Sequence, residues 1–187
     1  MPEIKEDTVT TFSTERLTLK VLSGEQAPLL QEYLLNNRTF HKPWEPTRDD
    51  AYYALDSCGK LLEFEQMAFE NKTSLPFYLF EKNGQHIIGK ASLTNIVYGP
   101  FQSCFLGYGL DAMHLHQGFM TEALKKILVL AFSTYGLHRV EANIMPRNAE
   151  SRKLVQGLGF REEGLSTHYL QINGIWEDHL HYVLLNE

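Results

Sequence analysis

Four groups of residues have types and spacings that could do chemistry. The first is Leu115-His116-Gln117-Gly118-Phe119-Met120, set between a strand pattern and an apolar-periodic helix pattern. A helix opening there presents unpaired N–H groups and the positive end of its dipole, a combination that holds phosphate. Gly118 has no Cβ and permits close backbone approach. A loop glycine before an ordinary core helix would read the same way. The second group is Pro146-Arg147-Asn148-Ala149-Glu150-Ser151, where a strand ends and a helix begins. Asn148 is a preferred N-cap, which by itself would account for it. In the other reading its amide holds a ligand amide while the Ser151 hydroxyl points into a cleft. The third group is histidine: His114-x-His116 and His179-x-His181 pair on one face of an extended segment. A zinc site needs three or four ligands, and no carboxylate or cysteine pattern completes one. Solvated or hydrogen-bonded histidines are the default. The fourth is Trp44 between Pro43 and Pro46, with Glu45, Asp49 and Asp50 nearby. An aromatic anchor beside negative charge would attract a cation or an amine. A hydrophobic plug among solvated acids would have the same composition.

Other elements must position these groups. Arg16–Leu22 alternates Leu17, Leu19 and Val21 against polar neighbours, the signature of a half-buried strand. Gln26–Asn36 carries Leu29, Leu30, Tyr33 and Leu34 at helical spacing, and a second helix runs from Ala54 to about Asn71. The two-proline, glycine-free run His41–Asp50 between them predicts a shaped loop. Strands follow at Pro76–Phe80, Ile87–Val97 and Ser103–Leu110, punctuated by Asn83-Gly84 and Gly99-Pro100. Met120, Leu124, Ile127, Leu128, Ala131 and Tyr135 share one face of a third helix, ended by Gly136. His138–Met145 reads as a strand and Asn148–Gly157 as a short helix. Phe160–Ile172 and Ile175–Leu185 close the chain as a hairpin about Asn173-Gly174. The order β-α-α-β-β-β-α-β-α-β-β predicts a mixed α+β fold around one largely antiparallel sheet. Residues 1–10 are polar and read as a loose tail, leaving 11–187 as a single domain.

Composition narrows the function classes. The chain has 187 residues, 43% hydrophobic and 21% charged, which is ordinary for one globular domain. Its net charge of −6 argues against a general nucleic-acid binder and suits a basic protein or a cationic small molecule as substrate. Cys58 and Cys104 alone make no disulfide framework, which points to a reducing compartment. The start, MPEIKEDTVTTF, lacks the apolar core of a signal peptide, and the apolar stretch Ile127–Phe132 is too short to span a bilayer. A cytoplasmic protein with no membrane partner is expected.

The segments HQGFMTEAL, PRNAESRKLVQGLGF and NGIWEDHLHYVL, in this order and spacing, resemble the GCN5-related N-acetyltransferases. NRTFHKPWEPTRDD and FLGYGLDAMHLHQGFMTEAL resemble in particular the branch that acetylates the N-termini of ribosomal proteins. The resemblance runs from about Thr14 to Leu184. It implies a sheet whose central strands, here Ser103–Leu110 and Arg139–Met145, splay apart at a bulge so that acetyl-CoA enters the gap. It places the pyrophosphate on the backbone amides of Leu115, His116, Gln117, Gly118, Phe119 and Met120. Tyr108, Leu110, Asn148 and Ser151 complete the implied cofactor-binding set, and no metal is implied. Leu115 stands where the family usually has Gln or Arg, and Met120 where it has a small residue. Phosphate contacts then fall to the backbone N–H groups of Gln117 to Met120, which bind anions without a side chain.

The implied reaction is direct attack of a neutral amine on the thioester in a ternary complex. A backbone N–H near Leu110 would stabilise the acyl oxygen. A free α-amine, with a pKa of ~7.7–8.0, is on the order of 10–20% neutral at pH 7, whereas a lysine at ~10.4 would need far more help. The family's usual glutamate base and tyrosine acid fall on Asn143 and Val155, and neither can serve. Ser151 fits the place of a serine acid in N-x-x-S. Glu45 is the first candidate base. Glu141, two residues before Asn143 on the same strand face, is the second, with a structural strand-end carboxylate as its other reading. Trp44, Glu45 and Asn143 form the implied substrate-binding set. The expected activity is acetylation of the N-terminal alanine of a small-subunit ribosomal protein of S-five type, by a monomer or homodimer, without direct nucleic-acid contact. Two other readings stay open: a small-amine acetyltransferase acting on a polyamine or aminoglycoside, and a non-catalytic acyl-CoA-binding module. The Trp44 loop separates the first, since a peptide needs an open cleft and a small amine a closed acidic pocket. Asn148 and Ser151 lean against the second.

Overall fold

Leu17 and Leu19 share one face of a strand and are wholly buried, as their alternation requires. The computed structural model describes residues 10–187. In chain order its elements are β1 (Thr11–Ser13), β2 (Leu17–Lys20), α1 (Ala27–His41), α2 (Leu55–Glu70), β3 (Leu75–Glu81) and β4 (Gly89–Val97). Then follow β5 (Ser103–Leu110), α3 (Phe119–Val129), β6 (Arg139–Ile144), α4 (Ala149–Gly157), β7 (Arg161–Ile172) and β8 (Ile175–Leu185). The strands form one sheet in the order β1-β2-β3-β4-β5-β6-β8-β7, antiparallel except where β5 lies beside β6. This is the mixed α+β architecture read from the pattern.

Three details differ. Strand β1 was not expected: it pairs with β2, and the Thr10 carbonyl accepts the Val21 N–H at 3.0 Å. Only Phe12 in it is large and apolar, too little for periodicity to register, yet its ring packs edge-on against Phe77 at 5.6 Å. Thr10 therefore belongs with the sheet edge, while residues 1–9 of the expected tail lie outside the described residues. Helix α1 runs past Asn36 to His41, because buried Asn37 finds partners on a distant loop. Helix α3 ends at Val129, and the last expected turn widens into a π-turn over Leu130–Thr134 before Gly136 at φ +64° ends it.

Alternation sorts the core into two faces. On one, Phe77, Leu79, Leu93 and Leu106 meet Leu124 and Ile127 of α3 and Val155 of α4. On the other, Tyr78 and Phe80 meet Leu30 and Tyr33 of α1 and Leu62 of α2. Each such buried side chain stabilises the fold by about 1.5–3 kcal/mol relative to exposure.

The sheet parts in the middle. Strands β5 and β6 pair only at Ser103–Arg139, Cys104–Val140 and Phe105–Glu141. Beyond that point β5 stays with β4 as far as Leu110, and β6 stays with β8 as far as Ile144. Sheet twist carries the two antiparallel pairs apart and leaves a gap between them. The expected bulge at this gap is not there; the register shift of β4 on β5 falls between Thr94 and Val97, at the far end. Among the described residues, no helix is long and apolar enough to cross a membrane, and no group of three or more His, Cys, Asp or Glu could hold a metal.

Candidate active site

The gap is lined on one side by backbone that β4 does not use. Asp111 donates its N–H to the Ile88 carbonyl at 2.8 Å, on the β4 side. Antiparallel alternation then turns the N–H and C=O of Leu110 away from β4 and toward the gap. His41, at the end of α1, meets that Leu110 carbonyl through Nε2 at 2.9 Å. A carbonyl can only accept, so Nε2 carries the proton. The Leu110 N–H is left facing the gap. Glu45 stands behind His41, 3.9 Å from Nδ1, rather than at the gap itself. It lines a cleft of about 170 Å³ with His41, Tyr52 and Asn173.

The mouth of the gap is the turn from Asp111 to Gly118, and it is held from two sides. Asn37 donates to the Asp111 carboxylate at 2.9 Å and accepts the Ala112 N–H at 3.1 Å. Asp111 also accepts the Met113 N–H at 2.8 Å. Burial opposes ionisation of Asp111, but these bonds and His114 outweigh it and hold the carboxyl below its usual range. From the other side, Arg16 binds Glu122 at 2.7 Å, donates to the Gln117 carbonyl at 2.9 Å and lies 4.6 Å over the Phe119 ring. Gly118 takes φ +79°, a conformation that suits glycine, and opens α3 with Phe119 and Met120 buried behind it. A Cβ there would come 3.4 Å from Arg16 Nη2. The first N–H groups of α3 thus face outward beside a guanidinium. The Leu115–Met120 segment joins β5 to α3, and the Arg16 guanidinium lies beside it.

Opposite this turn, α4 begins. The Asn148 side chain accepts the Ser151 N–H at 3.2 Å, so it is the N-cap. The Tyr108 hydroxyl donates to the Ser151 backbone carbonyl at 3.1 Å, joining β5 to the first turn of α4. Burial pushes that phenol up to about 12, so it remains a donor at neutral pH. Ser151 therefore has both backbone groups engaged, and its hydroxyl is the remaining polar group. Trp44 does not wait for an external cation: Arg147 lies 4.9 Å over its ring. Arg147 also donates to the Pro43 carbonyl at 2.8 Å and pairs with Glu177. Asn173, at the β7–β8 turn, donates to the Lys42 carbonyl and accepts from Thr47 at 2.8 Å. The α1–α2 loop is thereby tied down over the sheet.

The sheet face beneath that loop is open at its centre. Gly107 and Gly109 of β5 present no side chains there, and a Cβ on Gly107 would meet nothing within 4 Å. At Gly109 a Cβ would stand 3.7 Å from the His41 ring and 3.8 Å from the Tyr33 hydroxyl. Across the gap lie Glu141 and Asn143 of β6. Glu141 is fully engaged: Arg139 donates to it at 2.9 Å and His181 at 2.8 Å. Burial would raise its carboxyl, but these two bonds outweigh burial and hold it below the usual range. His181 in turn accepts from Ser166 at 2.7 Å. His114, His179 and His181 thus serve hydrogen bonds, His114 to Asp111 at 3.1 Å and His179 to the Glu177 carbonyl at 3.1 Å. From the sequence Tyr33, Arg147 and His181 read only as parts of a helical stripe, a strand-to-helix junction and a histidine pair, and Arg16 and His41 only as the ends of segments.

Comparison with known proteins names the class that this divided sheet belongs to. Residues 16–161 match the model of the acetyltransferase (GNAT) domain, and the chain belongs to that family. It is an N-acetyltransferase. Over 169 residues it is 35% identical to the ribosomal protein uS5-alanine N-acetyltransferase of Escherichia coli strain K12, covering 90% of this chain and 87% of that protein. The solved ribosomal-protein-S5-alanine acetyltransferase of Vibrio fischeri has a TM-score of 0.90 at 31% identity, over 95% of this chain and 97% of that one. RimJ of Mycobacterium smegmatis, solved with CoA-disulfide, has a TM-score of 0.86 at 28% identity, over 96% of this chain and 87% of that one.

Proposed function

We propose that this chain transfers the acetyl group of acetyl-CoA to the N-terminal alanine α-amine of a cytoplasmic ribosomal protein of S5 type. One observation carries the reading: the β5–β6 gap has a free Leu110 N–H on its wall and the opening of α3 at its mouth. The identity to the E. coli enzyme supports the choice of substrate. In this reading the N–H groups of Gly118, Phe119 and Met120 hold the pyrophosphate, and Arg16 adds positive charge beside them. Acetyl-CoA supplies the activated acyl carbon. The Leu110 N–H stabilises the acyl oxygen as it gains charge, and the Ser151 hydroxyl protonates the departing sulfur. The fixed α1–α2 loop, with Trp44 and Glu45, borders the peptide. The engaged state of Glu141, Asp111 and Glu177 favours this over the polyamine reading, because a polycation pocket needs uncommitted carboxylates. Mass spectrometry after incubation with acetyl-CoA and peptides beginning Ala, Ser or Met tests it. An acetyl group on the α-amine of the alanine peptide is expected. Acetylation of an internal lysine in an N-terminally blocked peptide, or of spermidine alone, would overturn it.

A further inference from the structure

Among the described residues, two buried side-chain polar atoms have no hydrogen-bond partner: the Tyr33 hydroxyl and Asn143 Oδ1. Buried polar groups are almost always satisfied, so each orphan needs an explanation. These two are not scattered. Tyr33 is 5% exposed and its hydroxyl stands over Gly109, on the β5 side of the gap. Asn143 lies on β6, two residues past the last β5–β6 pair, on the other side. Both belong to the sheet face that carries α1, and the floor between them is the side-chain-free Gly107 and Gly109. Asn143 keeps its orientation by donating Nδ2 to the Tyr169 hydroxyl at 3.4 Å, which leaves Oδ1 as an acceptor.

We infer that Asn143 Oδ1 and the Tyr33 hydroxyl oxygen are the acceptors for the substrate's α-amine. This rests on the proposed acetyl transfer and names its amine subsite. Two neutral acceptors can orient the amine in both protonation states, but unlike a carboxylate they cannot take its proton. Proton loss is then left to solvent, and roughly 10–20% of a free α-amine is already neutral in water at pH 7. The nearby charges are spent elsewhere. Glu141 is bound by Arg139 and His181, Arg139 also by Glu163, and Glu45 faces His41. The amine's lone pair forms the N–C bond as the C–S bond breaks with its electrons on sulfur. One proton leaves the ammonium to solvent before attack; Ser151 gives its proton to the thiolate and regains one from the amide nitrogen.

Unpartnered atoms give this subsite an unusual signature: removing them harms the substrate-bound state without harming the fold. Tyr33→Phe and the near-isosteric Asn143→Leu are expected to raise the KM of an alanine peptide about 10- to 100-fold, the range for a lost hydrogen bond to a charged group. Acetyl-CoA affinity stays unchanged, Tm stays level or rises in Tyr33→Phe, and in Asn143→Leu it falls by no more than ~2–4 °C for the lost Tyr169 bond. Asn143→Asp replaces the neutral acceptor by a charged one that holds the ammonium more tightly, so KM is expected to fall. If wild type acetylates the peptide while both polar deletions leave KM within about threefold, the subsite is wrong and the enzyme assignment stands. A drop in Tm of several degrees in Tyr33→Phe would mean its hydroxyl serves the fold, and overturns the inference. A wild type inactive on alanine peptides overturns both readings together.

Discussion

Replacing Gly118 by aspartate separates anion binding from folding. Its φ of +79° is a conformation that costs most residues about 1–2 kcal/mol, although aspartate visits it more readily. A side chain there would grow toward Arg16, whose Nη2 lies 3.4 Å from the Cβ position. The new carboxylate also sits at the positive end of α3, a placement worth about 0.3–1 kcal/mol. These effects oppose each other, so the net change in stability stays within about 1 kcal/mol, or ~2–4 °C in Tm for a chain of this size. Binding has no such offset. A carboxylate about 5 Å from a bound phosphate, at an effective dielectric near 20, repels it by roughly 3 kcal/mol, or about a hundredfold in affinity. Gly118→Ala is the control: it carries the backbone strain without the charge, so Tm falls by a few degrees and affinity changes less than tenfold. Calorimetric titration with acetyl-CoA reads both variants, and repeating it in high salt should shrink only the aspartate defect. A folded Gly118→Asp protein that binds acetyl-CoA like wild type would refute the phosphate assignment and the role given to α3.

Ser151→Ala leaves the two backbone bonds of that residue in place, so Tm is unchanged while kcat falls about 10²- to 10⁴-fold with little change in KM; steady-state kinetics with an alanine peptide checks it. Asn148→Ala removes the N-cap of α4 and lowers stability by about 1 kcal/mol, seen as a Tm drop of ~2–4 °C. Glu122 ties Thr14 and Arg16 to α3, and although burial opposes it, those bonds hold its carboxyl below the ordinary 4.5. A carboxyl depressed in the folded state stabilises above its unfolded value, and that contribution is lost as pH falls through the folded value. The stability difference between wild type and Glu122→Gln, followed by urea unfolding, should therefore be full above pH 5 and shrink steadily toward pH 3.

The sequence alone determined most of the elements, β1 excepted, and the two turn-to-helix junctions. Strands β5 and β8 match their predicted bounds, because alternation between fixed turn signals depends only on neighbours a few residues away. Gly118 and Asn148 were legible for the same reason: a glycine that lets the backbone approach closely at a helix start and an N-cap are local demands on one residue type. What faces what was settled only in three dimensions. His41 reaches the Leu110 carbonyl across 69 residues of chain, and Arg16 reaches Gln117 across 101. Trp44 with its acidic neighbours suggested a place for a foreign cation, yet Arg147 fills it from the β6–α4 turn. Glu141 read either as a second candidate base or as a structural carboxylate, and its oxygens belong to Arg139 and His181. A side chain's type and spacing fix which bonds it can make; whether a partner already holds it depends on sheet register and helix docking. Tyr33 and Asn143 are the converse, one in a helical stripe and the other in a strand, left without partners by a gap that only the parting of β5 and β6 creates.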